Sequence, residues 1–321
     1  MGFHVERIKV VGEGAYGKEK EILDKFKGNP HIVQCYDCDT TTNYETNATS
    51  LFLEFANGGS LRDLMKYYGH GQTKPKQIPE QHVKCYVEMI LKGLVEIHSR
   101  GYVHSDLKPD NILVFHREDC NGLPVLKIAD FGSSSEVSTG VKGIKGTLAY
   151  MSPESIHGNI SGAWDVWSLG CIIIEMITGR KAWNKYRGRG QGDLDLRNEL
   201  LRGEIPDIPE NMSSLGKDFL MKCFIRDPDK RGTARMLLQH PFLQSETIVL
   251  PHKFGFLMSS TTKLADNNEE KSTDVGTIFY SSITTFGSTN CKAVKKRMRC
   301  WYHQLKKILN IVISSRQDIG R

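Results

Sequence analysis

The chain has 321 residues, 39% of them hydrophobic and 25% charged, and a mean hydropathy of −0.38; this suits one large or two small domains with a buried core and excludes a disordered polymer or a membrane-embedded protein. The net charge of +6 is unevenly placed: residues 291–321 hold nine Lys/Arg against Asp318, so the other 290 residues carry −2. The basic balance belongs to the C-terminal stretch, and the globular part offers no electrostatic footprint for nucleic acid.

The N-terminal "MGFHVERIKV" carries charges and lacks a long apolar core, so no secretory leader is expected. Gly2 is followed by Glu6 where a myristoylation signal has Ser or Thr. The longest apolar runs, Cys171–Ile174 among them, are far too short to span a bilayer. Of eight cysteines, Cys35 and Cys38 form one C-x-x-C pair, but no second pair follows at zinc spacing; reduced thiols of a cytoplasmic protein are the plainer reading, with the nucleus as an alternative location.

Residues 1–56 read as short strands around one helix, with alternating apolar positions in "RIKVVG" and "SLFLEFA". Inside them lies "VVGEGAYGKEKEIL". Gly12-x-Gly14-x-x-Gly17 has the spacing of a loop that folds over nucleotide phosphates, yet only Lys18 separates it from a helix. From Gly58 the pattern is mainly helical. "GGSLRDLM" offers Ser60 as an N-cap with Asp63 three residues on, a capping box with Asp in place of Glu. In "QHVKCYVEMILKGLVEIHSRG", Val83, Val87, Ile90, Leu91, Leu94 and Ile97 recur at helical spacing before Gly101. "NGLPV" predicts a turn between two short strands, and "WDVWSLGCIIIEMITG" a helix apolar nearly all round that stops at Gly179. Residues 244–290 shift to Ser, Thr and Asn without periodicity, as a linker does.

The chemistry falls between residues 104 and 154. "HSDLKPDNIL" places Asp106, Lys108 and Asn111 in one short loop before an apolar strand; "IADFG" places Asp130 after another; "GTLAYMSPES" and "DVWSLG" follow. This ordered set, from about Val10 to Leu243, resembles the catalytic segments of eukaryotic protein kinases, whose patterns run H-x-D-x-x-x-x-N, D-F-G, A-P-E. The resemblance implies an α+β, two-lobed protein-kinase-like fold: a truncated N-lobe with a reduced β-sheet over 1–56, a mainly helical C-lobe over 57–243, the linker 244–290 and a basic amphipathic tail over 291–321. It implies ATP and Mg²⁺ as cofactors.

Phosphoryl transfer is mostly positioning and charge stabilisation. By the resemblance, Asp106 orients the substrate hydroxyl and accepts its proton, Lys108 reaches the transferring phosphoryl as a point charge, and Asn111 and Asp130 supply oxygen ligands to Mg²⁺. Val11, Gly12, Gly14 and Gly17 would surround the nucleotide phosphates. Glu54 and Ala56, after Leu53, would meet adenine with backbone groups, with Leu113 under the ring. Thr147 would orient substrate, Glu154 and Arg231 would pair to brace the end of the activation segment, and Asp165 would accept backbone N–H bonds from the catalytic loop. "GTLAYMSPES" and "IPENMSSLGKDFLMKCFIRDPDKRGTARMLLQHPFL" look most like plant MAP kinase kinase kinases of the MEKK-related type, which implies a Ser/Thr kinase acting on a MAP kinase kinase.

Two departures stand out. Ser105 precedes the catalytic Asp where many kinases have Arg, which argues against switching through a phosphorylated loop. The second is in the small lobe. The family places two strands between the glycine loop and the helix whose Glu, here Glu19, pairs with the V-A-I-K lysine; this chain has no room for either strand, and no such lysine. The alternative to an active kinase is therefore a catalytically impaired pseudokinase or scaffold. The tail gives a third reading. "KAVKKRMRCWYHQLKKILNIVI" puts Val294, Met298, Trp301, Leu305, Ile308 and Val312 on one helical face against a basic one, over 291–313. That pattern suits calmodulin, an anionic membrane surface or an acidic partner, or equally a helix packed on the large lobe.

Overall fold

The computed structural model describes residues 8–11, 16–43, 46–68, 77–116, 122–137, 145–158, 160–183 and 192–244. Gly12, Gly14, the linker beyond residue 244 and the whole basic tail lie outside the described residues.

The small lobe begins with strand β1 (Ile8–Val11), and after residues 12–15 helix α1 (Tyr16–Lys25) follows. Four residues cannot contain two strands, so the lysine-bearing strand of the family has no counterpart here. The glycine pattern also ends differently from expectation: the helix starts at Tyr16, not after Gly17, so Gly17 lies in its first turn. There its N–H is one of the donors that a helix start leaves without an intrahelical partner. Strands β2 (Cys35–Asn43) and β3 (Thr46–Leu53) form an antiparallel hairpin, with a bulge between Cys35 and Asp37. β1 lies antiparallel on the far side of β3, from Ile8 opposite Phe52 to Val11 opposite Thr49, giving the order β1-β3-β2. The polar stretch containing Cys38 is thus a full strand, which its alternation does not announce.

The large lobe is built around two helices that the apolar periods predict. Helix α2 (Leu61–Tyr67) is closed by the expected capping box: Ser60 accepts from the Asp63 N–H and Asp63 accepts from the Ser60 N–H. Helix α3 (Glu80–Ser99) buries Val83, Val87, Ile90, Leu91, Leu94 and Ile97, each 1% exposed or less. At roughly 1.5–3 kcal/mol for each side chain removed from water, this stripe alone explains why the helix docks. β4 (Tyr102–Val103), β5 (Ile112–Phe115), β6 (Val125–Ile128) and β7 (Ser135–Glu136) follow; β5 pairs antiparallel with β6, and β4 with β7. Helix α4 (Ala163–Thr178) is buried from Trp164 to Ile177, as its all-round apolar sequence requires. It stops where Gly179 takes φ +69 and returns its N–H to Glu175 O at 2.9 Å, a left-handed cap that an L-side chain resists. Helices α5 (Gly192–Arg202), α6 (Ser214–Cys223), α7 (Ala234–Leu238) and α8 (Pro241–Gln244) complete the lobe.

Two seams join the small-lobe elements to the strands that carry the site. Ile128 N–H donates to His31 O and Val33 N–H to Ile128 O, both at 2.9 Å, so the link after α1 runs beside β6. Gly58 N–H donates to Val114 O and Val114 N–H to Gly59 O, both at 2.9 Å, while Asn57 bonds the His116 backbone in both directions. The segment after β3 is therefore laced to β5.

Below the site, Arg231 and Glu154 form a bidentate pair at 2.6 and 3.0 Å, with the Arg231 side chain fully buried, donating also to Ile225 O and Ala163 O and stacked on Trp167. Removing one partner of such a pair strands the other. Arg231→Met should lower the unfolding free energy by about 3–5 kcal/mol, read as a fall in the urea midpoint at unchanged slope; a loss below about 1 kcal/mol would show that the pair does not hold the segment.

Candidate active site

The catalytic loop leaves β4 at Val103 and reverses through Ser105, whose φ of +68 is unfavourable for a side chain with a Cβ. Such a residue costs on the order of 1–3 kcal/mol unless its surroundings compel it. Asp165 compels it. This carboxylate in the first turn of α4 is buried and accepts His104 N–H at 2.8 Å, Ser105 N–H at 3.0 Å and His98 Nε2 at 2.8 Å. Burial opposes its charge, but the hydrogen bond and charge of His98, with the His104 side chain and N–H, hold its carboxyl below the ordinary 3.8.

The turn aims Asp106 at the segment from Gly146. Asp106 Oδ1 accepts from Thr147 Oγ1 at 2.7 Å, and Oδ2 pairs with Lys108 Nζ at 2.6 Å; Lys108 Nζ also donates to Thr147 Oγ1 at 3.1 Å. Asn111 Nδ2 donates to Asp106 O at 2.9 Å, which turns the Asn111 carbonyl oxygen the other way. Gly146, at φ +103, lets the segment approach this closely: a Cβ there would stand 2.6 Å from Ser105 O. The Asp106 carboxylate, the Lys108 ammonium and the Thr147 hydroxyl thus converge.

Asp130 follows β6 with φ +67, the other non-glycine residue with positive φ among the described residues. Ala129 N–H donates to Asn111 O at 2.9 Å, which ties Asp130 to the loop carrying Asn111. Its successor Phe131 is buried, packs edge-on against the His104 ring at 5.2 Å, and faces Phe26, just past the end of α1, at 5.6 Å. Glu19, 4% exposed, accepts the Phe131 N–H at 3.0 Å, so its carboxylate docks α1 directly onto this turn. The donor set fits Mg²⁺: the Asn111 carbonyl and the Asp130 carboxylate are hard oxygens on two neighbouring strands' ends.

Of the expected adenine contacts, Glu54 and Ala56 lie on the laced segment, and the Ser60–Leu113 bridge brings Leu113 beside it. The Glu54 side chain pairs with Lys127 Nζ at 2.6 and 2.7 Å and accepts Gln34 N–H at 2.8 Å, and its N–H donates to Gln34 O. Val11 ends β1, and Gly12 and Gly14 lie outside the described residues.

Three participants escape sequence reasoning. His104 lies in the quoted motif, and its Nε2 reaches Ala129 O at 3.0 Å, joining the catalytic loop to the Asp130 turn. His98 belongs to the end of α3, 67 positions from Asp165, with no local mark. Arg62 carries no mark in the sequence and binds Asp110, Tyr150 and Glu175.

This two-lobed arrangement, with a charged loop tied to the Asp130 turn, defines a site of the protein kinase class. A family described as protein kinase domain matches residues 3–243, and the chain belongs to it. Over 246 residues it is 38% identical to mitogen-activated protein kinase kinase kinase 20 of Arabidopsis thaliana, covering 74% of this chain and 68% of that protein. It is 35% identical to the Arabidopsis kinase kinase kinase YODA over 71% of this chain and 24% of that one, and 33% identical to MAP kinase kinase kinase wis4 of Schizosaccharomyces pombe over 70% and 16%. The chain is a serine/threonine protein kinase by family, similar to plant MAP kinase kinase kinases, and spans only a small part of the longer relatives.

Asp165→Asn keeps the shape and removes the charge that three donors share. At pH 7 it should cost at least about 2 kcal/mol, measured by denaturant unfolding. Because the folded carboxyl lies below 3.8, its contribution is complete above about pH 4 and is lost as the pH falls through the folded value. The gap between variant and wild type should therefore be constant from pH 7 to 5 and narrow below pH 4. A gap that already closes at pH 6 would contradict the assignment.

Proposed function

We propose that this chain transfers the ATP γ-phosphoryl group to Ser or Thr of a protein substrate within a MAP kinase cascade, the substrate being a MAP kinase kinase. The observation that carries this reading is the Asp106–Thr147–Lys108 cluster, three groups within 3.1 Å of one another where a strained, carboxylate-braced loop meets the segment after Gly146. Bound Mg-ATP supplies the phosphoryl group and the metal charge that neutralises it. Asn111 and Asp130 would hold the metal, and Glu54, Ala56 and Leu113 the adenine. Asp106 orients the substrate hydroxyl and accepts its proton, with Thr147 keeping the carboxylate in register. Lys108, already at the carboxylate, shields the developing negative charge.

One observation favours a slower or non-catalytic variant of this function. The direct passage from β1 to α1 removes the lysine strand, and Glu19 is turned to the Phe131 N–H. Loss of one preorganised partner of developing charge typically lowers a rate by about 10²–10³. Transfer slowed by this factor remains measurable; a scaffold would bind its MAP kinase kinase and transfer nothing.

Purified chain with Mg-ATP and a MAP kinase kinase should label the substrate on Ser/Thr. Asp130→Asn and Asp106→Asn should each lower that labelling by about 10²-fold or more, as measured by phosphopeptide mass spectrometry. Labelling equal in all three proteins would mark a contaminant, and retained substrate binding without labelling would establish the scaffold.

A further inference from the structure

The pocket that reaches Asp106 and Thr147 carries a surplus of hydrogen-bond donors. Lys145 lines it beside them, as do Ser152 and Trp164. Asp106 is already answered, by Lys108 Nζ at 2.6 Å and by Thr147 Oγ1 at 2.7 Å. The Lys145 ammonium is therefore the charge left over. It donates to a neutral acceptor, Ser135 Oγ at 3.1 Å, and has no carboxylate in ion-pair reach among the described residues. Burial, and then the charge of Lys18, lower its pKa from the usual 10.5, so the ammonium gains from an anion that reaches it.

The other walls agree. Ser155 Oγ donates to Ser152 O and Ser168 Oγ to Tyr150 O, both at 2.7 Å, so these hydroxyl protons are spent within the chain. The Ser152 hydroxyl and the Trp164 indole N–H are not. Both are buried, and neither has a hydrogen-bond partner among the described residues. A buried donor left unmet is costly, and an acceptor oxygen brought to it relieves that cost. A carboxylate brings acceptor oxygens and negative charge together, which suits this lining. A guanidinium or ammonium would meet Lys145 as a like charge and add donors where donors are already in excess. One water could satisfy the two neutral groups but would leave Lys145 uncompensated.

We propose that Lys145 is a specificity-determining residue: it makes this pocket select an Asp or Glu next to the Ser or Thr that receives the phosphoryl group, with the Ser152 hydroxyl and the Trp164 N–H as further donors to that carboxylate. This rests on the kinase reading for the identity of the pocket as the acceptor site, because Asp106 and Thr147, which would hold the acceptor hydroxyl, line the same walls. The same ammonium repels a basic neighbour, so selection acts against the wrong peptide as well as for the right one.

The test uses the whole chain and three peptides identical except for the residues flanking a central Thr: Asp, Ala or Arg. Binding is followed by NMR titration without nucleotide, so it does not depend on phosphotransfer. Wild type should bind the Asp peptide about tenfold more tightly than the Ala peptide, and the Arg peptide most weakly. The Trp164 indole N–H signal, identified by its loss in Trp164→Phe, should shift with the Asp peptide and not with the Ala peptide. Lys145→Gln should bring the Asp and Ala peptides level, Lys145→Glu should put the Arg peptide first, and Lys145→Arg should keep the wild-type order. Equal affinities in wild type, no binding of any peptide, or an unchanged order in a folded Lys145→Gln or Lys145→Glu would overturn the proposal. So would a Trp164 signal that the Asp peptide leaves in place, which would mark the pocket as holding water only. Absence of phosphotransfer with the binding order intact would count against catalysis alone.

Discussion

The geometry of the site depends on one buried carboxylate. Asp165 is fully buried, so its charge must be answered by protein donors, and those it meets are the N–H groups of His104 and Ser105 and the ring of His98. Meeting that requirement forces the chain into a left-handed turn at Ser105, and this turn aims the next side chain, Asp106, across the cleft at Thr147. Because α4 is buried along nearly its whole length, the carboxylate cannot shift to relieve the turn. Helix packing, loop strain and placement of the proton acceptor are therefore one problem with one solution.

The segment facing Asp106 is secured differently from what a switch through a phosphorylated loop would need. Ser105 carries no guanidinium to meet a phosphate. In its place stand close backbone approach at Gly146, the hydroxyl of Thr147 shared between Asp106 and Lys108, and the buried pair of Glu154 with Arg231. Each of these contacts is internal to the described chain. The described residues of this segment are held by packing and fixed charges.

Much of this was legible in the sequence, and the reasons differ by element. The stripe from Val83 to Ile97 and the all-round apolar run of α4 announce buried helices because burial leaves a period that local composition can show. The order of Asp106, Asn111 and Asp130 announces the chemistry because each residue sits in a short run with its own flanking strand. Long-range pairs leave no such trace. His98 meets Asp165, and Arg62 meets Glu175, only after folding brings distant elements together. The β2 strand was hidden for the opposite reason: its Thr, Asn and Asp residues carry no apolar alternation. Gly17 in the first turn of α1 reflects a short joint, which propensity alone does not locate to the residue.

The small lobe shows what such a joint changes. With no strand between β1 and α1, β1 takes the place beside β3, and the three-stranded sheet closes without the missing pair. Glu19 remains buried at the position that would pair with a lysine, but its carboxylate serves as an acceptor for the Phe131 amide. A backbone donor is fixed wherever the chain is folded, whereas a lysine partner would also engage phosphate. Docking of α1 onto the Asp130 turn is thereby separated from nucleotide anchoring. Under the proposed function, phosphate charge would then be met chiefly from the large-lobe side, by Lys108 and by a metal that Asn111 and Asp130 would hold, residues tied to the same loop that Asp165 constrains.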